Sequence, residues 1–241
     1  MRTRIKICCM ASLQEVQLAI RAGADAVGFV GPMPSSSHSL GDPAIAELAA
    51  LVPPPIATFL LTAEVTAAGI ARHVERTHPS TVQIVSQIAT AEAAKLAQLL
   101  PATRRVQVVH VENEGVLDLI GGYAPYVHAY LLDSGRPNLA VPELGGTGRT
   151  HDWQISAEFV RRSPLPVFLA GGLAPANVRE AIRRVKPFGV DLCSGVRTEG
   201  RLDASKLGAF IEAVRQADLL ADPVEDADIG QDGDPVTVPW I

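Results

Sequence analysis

Four side chains with acid–base chemistry stand at or near the ends of predicted strands. Cys8 ends the first predicted strand, Asp133 ends the sixth and Asp191 ends the eighth. Lys6 precedes Cys8 by two residues, so both side chains point to the same face of an extended strand. A thiol and a carboxyl group across one site can act as base and acid when their pKa values are shifted apart. Taken singly, a strand-end cysteine is often a core residue and a strand-end aspartate often caps the next loop.

Glycine-bearing turns follow the last three predicted strands, and together they predict a phosphate site. They are Gly145-Gly146-Thr147-Gly148 after strand six, Gly171-Gly172 after strand seven and Ser194-Gly195 after strand eight. Glycine lets a backbone come close to an oxyanion, and successive N–H groups can then donate to it. Any one of these turns can need glycine for tight turning alone. Because α/β barrels hold phosphate in the loops after strands seven and eight, the set favours phosphate binding.

The elements that must position these residues alternate between short apolar runs and helical patterns. The predicted strands are Arg4–Cys8, Ala26–Val30, Ile56–Leu61, Thr81–Val85, Arg105–Val111, Tyr126–Leu132, Val167–Ala170 and Gly189–Leu192. They seldom alternate with polar residues, which is typical of parallel strands buried on both faces. The predicted helices are Ser12–Ala22, Pro43–Leu51 with Asp42 as its N-cap, Ala67–Thr77, Ala89–Leu99, Gly115–Ile120, Ile155–Arg162, Pro175–Val185 and Ala204–Ala217.

Strict alternation of eight strands and eight helices predicts a (β/α)8 TIM barrel, with an open doubly wound sheet as the alternative.

The 241 residues are 47% hydrophobic, enough for a sizeable core. The net charge of −5 gives no basic footprint for nucleic acid. Seven acids and no Lys or Arg lie in residues 218–241, which leaves 19 acidic against 21 basic residues elsewhere. We therefore expect a barrel domain at residues 1–217 and a disordered acidic tail at 218–241.

The cysteines and histidines indicate a reducing setting and no metal. Three cysteines, of which Cys8 and Cys9 are vicinal, form no even-numbered disulfide framework, so we expect a cytoplasmic protein. The N-terminal residues are too polar for a signal peptide and no apolar run reaches about 18 residues, so no membrane association is expected. The six histidines show no metal-ligand spacing, and His73 and His78 are expected at a solvated helix end.

Several motifs together resemble the phosphoribosylanthranilate isomerase family. Ile5-Lys6-Ile7-Cys8 is similar to its Lys-Ile-Cys-Gly opening, and Ala22 to Val30 is similar to its second strand. Its strand-six region resembles Leu132-Asp133-Ser134, Gly145 to Gly148 and Asp152-Trp153. Its closing strands resemble Leu169 to Leu173, Asn177-Val178, Gly189-Val190-Asp191 and Ser194-Gly195-Val196. The resemblance covers residues 4 to about 216.

The resemblance implies an Amadori rearrangement of phosphoribosyl anthranilate, an aminoaldose, to an aminoketose in tryptophan biosynthesis. It implies Asp133 as the general acid on the ring oxygen and Cys8 as the general base at C2 of the Schiff base. It implies no metal or organic cofactor, a phosphorylated small-molecule substrate, and a monomer or homodimer. Substrate-binding residues would be Lys6, Asp191 and Arg136, and the phosphate would be held by Gly146, Gly148, Gly171, Gly172, Ser194 and Gly195.

Three departures from the family pattern lie beside the base or at the aryl end of the site. Cys9 stands where the family has glycine. Residues 31–38 lack the arginine of the family's Ser-Pro-Arg segment, which meets the anthranilate carboxylate, and Arg136 or Arg149 is a hypothetical replacement. Val82-Gln83-Ile84-Val85-Ser86 lacks the His and Gly of Val-Gln-Leu-His-Gly. The alternatives are a paralogous barrel isomerase acting on another phosphorylated sugar and a non-catalytic sugar-phosphate binder.

Overall fold

Eight parallel strands form a closed ring with helices outside it. The computed structural model describes residues 2–33, 38–135 and 148–220. The strands are β1 (Arg4–Ile7), β2 (Ala26–Val30), β3 (Ala57–Thr62), β4 (Thr81–Ile84), β5 (Arg104–His110), β6 (Ala129–Asp133), β7 (Val167–Leu169) and β8 (Gly189–Leu192). They pair in chain order, and β8 pairs back onto β1. The predicted (β/α)8 TIM barrel is confirmed, and the open sheet is excluded.

The helices follow the strands in the predicted order. They are α1 (Leu13–Ala22), α2 (Asp42–Ala50), α3 (Ala67–Thr77), α4 (Thr90–Leu99), α5 (Leu119–Tyr123), α6 (Trp153–Arg162), α7 (Val178–Val185) and α8 (Ala204–Leu220). Two predictions were wrong in detail. Asp42 is the first residue of α2 and Gly41 is its N-cap. The predicted helix Gly115–Ile120 is a 3-10 turn, Glu114–Asp118, that runs into the short α5.

The barrel has two apolar cores, one between the strands and the helices and one inside the ring of strands. They explain why the strand sequences are nearly continuous hydrophobic runs. Residues such as Ile7, Phe29 and Leu132 face outward and pack with the helices. Their neighbours, among them Cys8, Val30 and Leu131, belong to a separate cluster inside the ring. Because successive side chains of a strand point to opposite faces, both faces must be apolar when a sheet is closed and covered.

His73 is buried, so its predicted place at a solvated helix end was wrong. The Thr62 hydroxyl lies 2.9 Å from Nδ1, and Asp42 Oδ1 lies 3.1 Å from Nε2. Burial lowers the pKa of His73, although the Asp42 carboxylate acts in the opposite direction. The ring therefore connects α2, β3 and α3. His78, by contrast, is exposed and ends α3 with a left-handed backbone (φ 49°).

The two ends of the described barrel meet. The Asp218 carboxylate in α8 accepts hydrogen bonds from the Thr3 backbone N–H, at 3.0 and 3.1 Å, and from the Thr3 hydroxyl, at 2.6 Å. Helix α8 continues to Leu220, three residues past its predicted end. The expected disordered tail beyond it lies outside the described residues and stays a prediction. No helix in the described ranges is both long and apolar enough to cross a membrane.

Candidate active site

A buried ion pair joins β1 to β8 inside the barrel. Lys6 and Asp191 are register partners, and Lys6 Nζ lies 2.8 Å from Asp191 Oδ1. The Lys6 side chain is fully buried, and its ammonium also lies 5.2 Å from the centre of the Phe59 ring. Burial alone would lower the pKa of Lys6, but the Asp191 carboxylate, together with Cys8 and Cys9, outweighs burial and raises the pKa. Lys6 therefore carries a fixed positive charge into the barrel.

Cys8 follows β1 directly and lies beside this charge. Its backbone N–H donates to the Leu192 carbonyl at 2.9 Å, which continues the pairing of β1 with β8, and its side chain is buried. A Cβ atom added to Gly28 of β2 would lie 2.8 Å from Cys8 Sγ and 3.1 Å from Lys6 Nζ. The missing side chain of Gly28 thus leaves the room that the thiol and the ammonium occupy.

Asp133 ends β6, in register with His110 at the end of β5. The Ser134 backbone N–H donates to Asp133 Oδ1 at 2.7 Å. Burial raises the pKa of Asp133, and the nearby Asp191 adds to this, while the Ser134 N–H, His110 and Lys6 act in the opposite direction. The net rise favours the protonated carboxyl group, which is the form that can donate a proton.

The loops after β6, β7 and β8 converge at the same end of the barrel. A Cβ on Gly148 would lie 4.0 Å from Ser194 Oγ, one on Gly172 would lie 2.7 Å from the Arg149 carbonyl oxygen, and one on Gly195 would overlap the Leu173 carbonyl oxygen. Gly148, Gly171 and Gly172 all have left-handed backbones, with φ of 66°, 79° and 62°. These glycines therefore let the loops touch one another. Gly146 and Arg136 lie outside the described residues.

Asn177 fixes the loop after β7. Its Oδ1 accepts from the Ala174 N–H at 2.8 Å, and its Nδ2 donates to the Gly172 carbonyl at 2.9 Å. Both side-chain groups of one amide thus close the turn that presents Gly171 and Gly172. Asn177 is the N-cap of α7 by position, and its side chain serves the loop before the helix instead of the helix itself.

His110 is a residue at the site that the sequence reasoning did not select. Its Nε2 lies 2.9 Å from the Val85 carbonyl oxygen, so Nε2–H donates to that oxygen. His110 is buried, and within the described chain Nδ1 has no hydrogen-bond partner. The rule that selected Asp133, a polar residue at a strand end, applies equally to His110 and would have found it.

Arg197 and Glu15 stabilise the chain that follows Cys8, and the sequence analysis did not select either residue. Arg197 Nη2 donates to the Cys9 carbonyl at 2.5 Å, and Nη1 donates to Glu15 Oε1 at 2.9 Å. Glu15 also accepts from the backbone N–H of Leu202 and of Ala11. Burial alone would raise the pKa of Glu15, but Arg197 and these N–H groups lower it. This network ties β1 to the segment after β8, and nothing in the local sequence of either residue announces it.

The donor set gives no indication of a metal site: no group of three or more His, Cys, Asp or Glu side chains in residues 2–33, 38–135 and 148–220 is arranged to hold an ion. What the barrel end does bring together is the Cys8 thiol, the carboxyl groups of Asp133 and Asp191, the Lys6 ammonium and three glycine-bearing loops. Acid–base chemistry on a phosphorylated compound fits this set.

Comparison with known proteins gives a consistent result. The sequence model of the N-(5'phosphoribosyl)anthranilate (PRA) isomerase family matches residues 5–213. The N-(5'-phosphoribosyl)anthranilate isomerase of Methanosarcina acetivorans is 33% identical over 237 residues, covering 89% of this chain and 94% of that protein. A phosphoribosyl anthranilate isomerase in complex with reduced 1-(o-carboxyphenylamino)-1-deoxyribulose 5-phosphate superposes with a TM-score of 0.74 at 26% identity, covering 89% and 99% of the two chains.

A second solved structure, of monomers derived from the dimeric isomerase of Thermotoga maritima, superposes with a TM-score of 0.73 at 25% identity and covers 89% of this chain and 99% of that one. The family match takes in every described strand and both candidate acid–base residues. Sequence, topology and the contents of the barrel mouth therefore agree that the chain belongs to the N-(5'-phosphoribosyl)anthranilate isomerase family.

Proposed function

We propose that this protein is an isomerase that converts phosphoribosyl anthranilate into the corresponding aminoketose, the Amadori rearrangement of tryptophan biosynthesis. The observation that carries the proposal is the pairing at the barrel mouth of a carboxyl group with a raised pKa, Asp133, and a buried thiol, Cys8, beside the Lys6 ammonium. Two groups in different environments can serve as acid and base within one turnover.

Asp133 is proposed to start the reaction as the general acid. Its raised pKa keeps a proton on the carboxyl group at a higher pH than an ordinary aspartate would. Transfer of that proton to the ribose ring oxygen breaks the bond from C1 to this oxygen and leaves an open-chain Schiff base with positive charge on nitrogen. The carboxylate that remains keeps its hydrogen bond from the Ser134 N–H.

Cys8 is proposed to complete the reaction as the general base. Its sulfur takes the proton from C2, and the electron pair of that C–H bond forms the C1–C2 double bond as the charge on nitrogen is neutralised. The resulting enolamine tautomerises to the ketone. The Lys6 ammonium, held by Asp191, places a positive charge next to the sulfur throughout.

The phosphate is proposed to lie against the converging loops after β6, β7 and β8. Gly148, Gly171, Gly172, Ser194 and Gly195 present backbone N–H groups in this region, and Gly146 is assigned with them from the sequence pattern. Support comes from the close approach of the three loops at these glycines and from the left-handed turns at three of them. A relative was solved with a ribulose 5-phosphate derivative. Asp191, which has lone pairs beyond those used by Lys6, is proposed to accept from sugar hydroxyls.

Arg136 or Arg149 is proposed to meet the anthranilate carboxylate. Arg149 lies on the loop that packs against Gly172, and Arg136 lies outside the described residues. We also propose a cytoplasmic enzyme, from its three unpaired cysteines. It is proposed to act as a monomer or homodimer, as the Thermotoga maritima relative is dimeric and has been solved as monomers.

The test is turnover of phosphoribosyl anthranilate by the full chain, followed by anthranilate fluorescence. Cys8→Ser and Asp133→Asn are each expected to lower kcat by about 10²–10⁴-fold, the usual contribution of one acid or base. Asp118→Asn, at an exposed aspartate, is the matched control and should leave kcat unchanged.

No turnover by the unaltered protein would refute the proposal. If a ribulose 5-phosphate then still raised the melting temperature, the substrate would be another phosphorylated sugar on the same barrel.

A further inference from the structure

Three thiols meet at the junction of β1 and β8. Cys8 belongs to the apolar cluster inside the barrel, and Cys9 and Cys193 pack against that same cluster. Cys8 and Cys193 both lie close enough to the Cys9 thiol to raise its pKa. The backbone contact from Cys8 N to Leu192 O brings the residues that follow the two strands side by side. All three cysteines are reduced.

Cys9 occupies a backbone conformation that favours glycine. Its φ is 65°, in the left-handed region, where the Cβ atom of a non-glycine residue strains the backbone. The family pattern described above has glycine at this position. The chain thus carries a thiol at a place where the backbone alone would be more stable without a side chain.

The surroundings of Cys9 and Cys193 differ from those of Cys8. Both are partly exposed, whereas Cys8 is buried. A hydrogen bond from Cys9 lowers the pKa of Cys193, burial opposes this, and the Arg197 guanidinium adds to the lowering. The same hydrogen bond raises the pKa of Cys9. The two shifts have opposite directions, so Cys193 loses its proton more readily than Cys9, and the thiolate is the nucleophilic form.

We propose that Cys193 and Cys9 form a thiol oxidation site for hydroperoxides. The Cys193 thiolate attacks one peroxide oxygen, the O–O bond breaks, and the products are a Cys193 sulfenic acid and the hydroxide or alkoxide of the other oxygen. That anion takes the Cys9 proton. The Cys9 thiolate then attacks the sulfenic sulfur, forms the disulfide and expels hydroxide, which is protonated to water. Two thiols are oxidised and one peroxide is reduced, and a dithiol reverses the change.

A disulfide between these residues would act on both halves of the proposed isomerase site. Cys9 is bonded to Cys8, the proposed base, and Cys193 is bonded to Ser194 of the proposed phosphate turn. Cross-linking them would fix the ends of β1 and β8 against each other. The oxidation itself needs only the two sulfur atoms and the peroxide, so it can be measured whether or not the proposed isomerase activity is correct.

The experiment treats the full chain with one equivalent of hydrogen peroxide, alkylates the remaining thiols and identifies the linked peptides by fragment mass spectrometry. The expected product is the Cys9–Cys193 disulfide with Cys8 alkylated, reversed by dithiothreitol. In Cys9→Gly, no disulfide should form, and a sulfenic acid on Cys193 should be trapped by dimedone. In Cys193→Ser, the rate of thiol loss should fall at least tenfold.

Two further measurements, the turnover and the melting temperature of Cys9→Gly, test the proposal. Cys9→Gly should keep its turnover in the absence of oxidant, because Cys9 is not part of the proposed acid–base pair, and its folding is checked by a melting temperature no lower than that of the unaltered chain. Oxidation of Cys8 first, or thiol loss in Cys193→Ser as fast as in the unaltered chain, would overturn the proposal. Activity loss without any change in thiol count would overturn its regulatory consequence.

Discussion

The ends of β6 and β8 place two carboxyl groups in the same barrel mouth in opposite circumstances. Asp191 on β8 has the Lys6 ammonium at 2.8 Å. Asp133 on β6 has the Ser134 N–H at 2.7 Å, and within the described residues it makes no ion pair. Burial therefore raises the pKa of Asp133, and the neighbouring Asp191 adds to the effect.

The difference shows how one fold can separate a carboxylate that holds a cation from a carboxyl group that is proposed to give up a proton. A buried carboxylate with a dedicated cation holds that cation in place. A buried carboxyl group without one gains its proton more readily and can give it away. Residue type is the same in both cases and both residues lie at or near the end of a strand, so the proposed roles differ with the surroundings of each carboxyl group.

The largest expected effect comes from breaking the Lys6–Asp191 pair. Lys6→Met leaves a buried carboxylate without its cation and is expected to lower the free energy of unfolding by about 3–5 kcal/mol. Urea unfolding monitored by circular dichroism measures it. The double variant Lys6→Met/Asp191→Leu should regain much of the lost free energy of unfolding, because it leaves no charge unpaired. A loss below about 1 kcal/mol in the single variant would mean that water reaches the pair.

The second expected effect is an increase in the free energy of unfolding, opposite in sign to the loss in Lys6→Met, and it tests the difference between Asp133 and Asp191. Asp133→Asn is expected to raise the free energy of unfolding by about 0.5–2 kcal/mol at pH 8 while turnover is lost, as in other trade-offs between stability and activity. A group whose pKa is raised on folding stabilises the fold below that pKa and loses this contribution as pH rises through it.

The gain in Asp133→Asn should therefore grow as pH rises and disappear at acidic pH. Unfolding curves at a series of pH values measure it, with Asp118→Asn as the control at an exposed site. A gain that is the same at every pH would show that Asp133 does not differ in pKa between the folded and unfolded chain.

The smallest effect concerns His110, which lies in register with Asp133. His110 is among the groups that lower the pKa of Asp133, so its removal should raise that pKa further. In His110→Asn, the alkaline limb of kcat/KM is expected to move to higher pH, with less than about a tenfold change in kcat/KM at neutral pH. The pH–rate profile distinguishes this from a structural role, which would lower the curve without moving the limb.

Much of the fold followed from the sequence because apolar runs and helix signals are local. β2, β8 and α3 have the predicted bounds, and the Ser12 cap and the Gly23 C-cap lie where the sequence placed them. The 3-10 turn at Glu114–Asp118 was not predicted, because its apolar spacing is similar to that of a short helix.

The pairings inside the site could not be read from local patterns. Lys6 and Asp191 were both selected for the site, but their contact depends on the closure of β1 against β8. Arg197 reaches the Cys9 carbonyl across 188 residues of chain. Contacts of this kind depend on the register of the strands in the closed barrel, and a short stretch of sequence does not determine that register.

The joint between Thr3 and Asp218 has a consequence for protein synthesis. Thr3 and Asp218 are 215 residues apart in the sequence. At a translation rate of about 5–20 residues per second, about 10–40 s pass between the synthesis of Thr3 and that of helix α8, to which it binds. Until β8 leaves the ribosome, β1 has one unpaired edge, and such an edge invites pairing with other chains. Translation speed and chaperone supply should therefore affect the yield of this barrel.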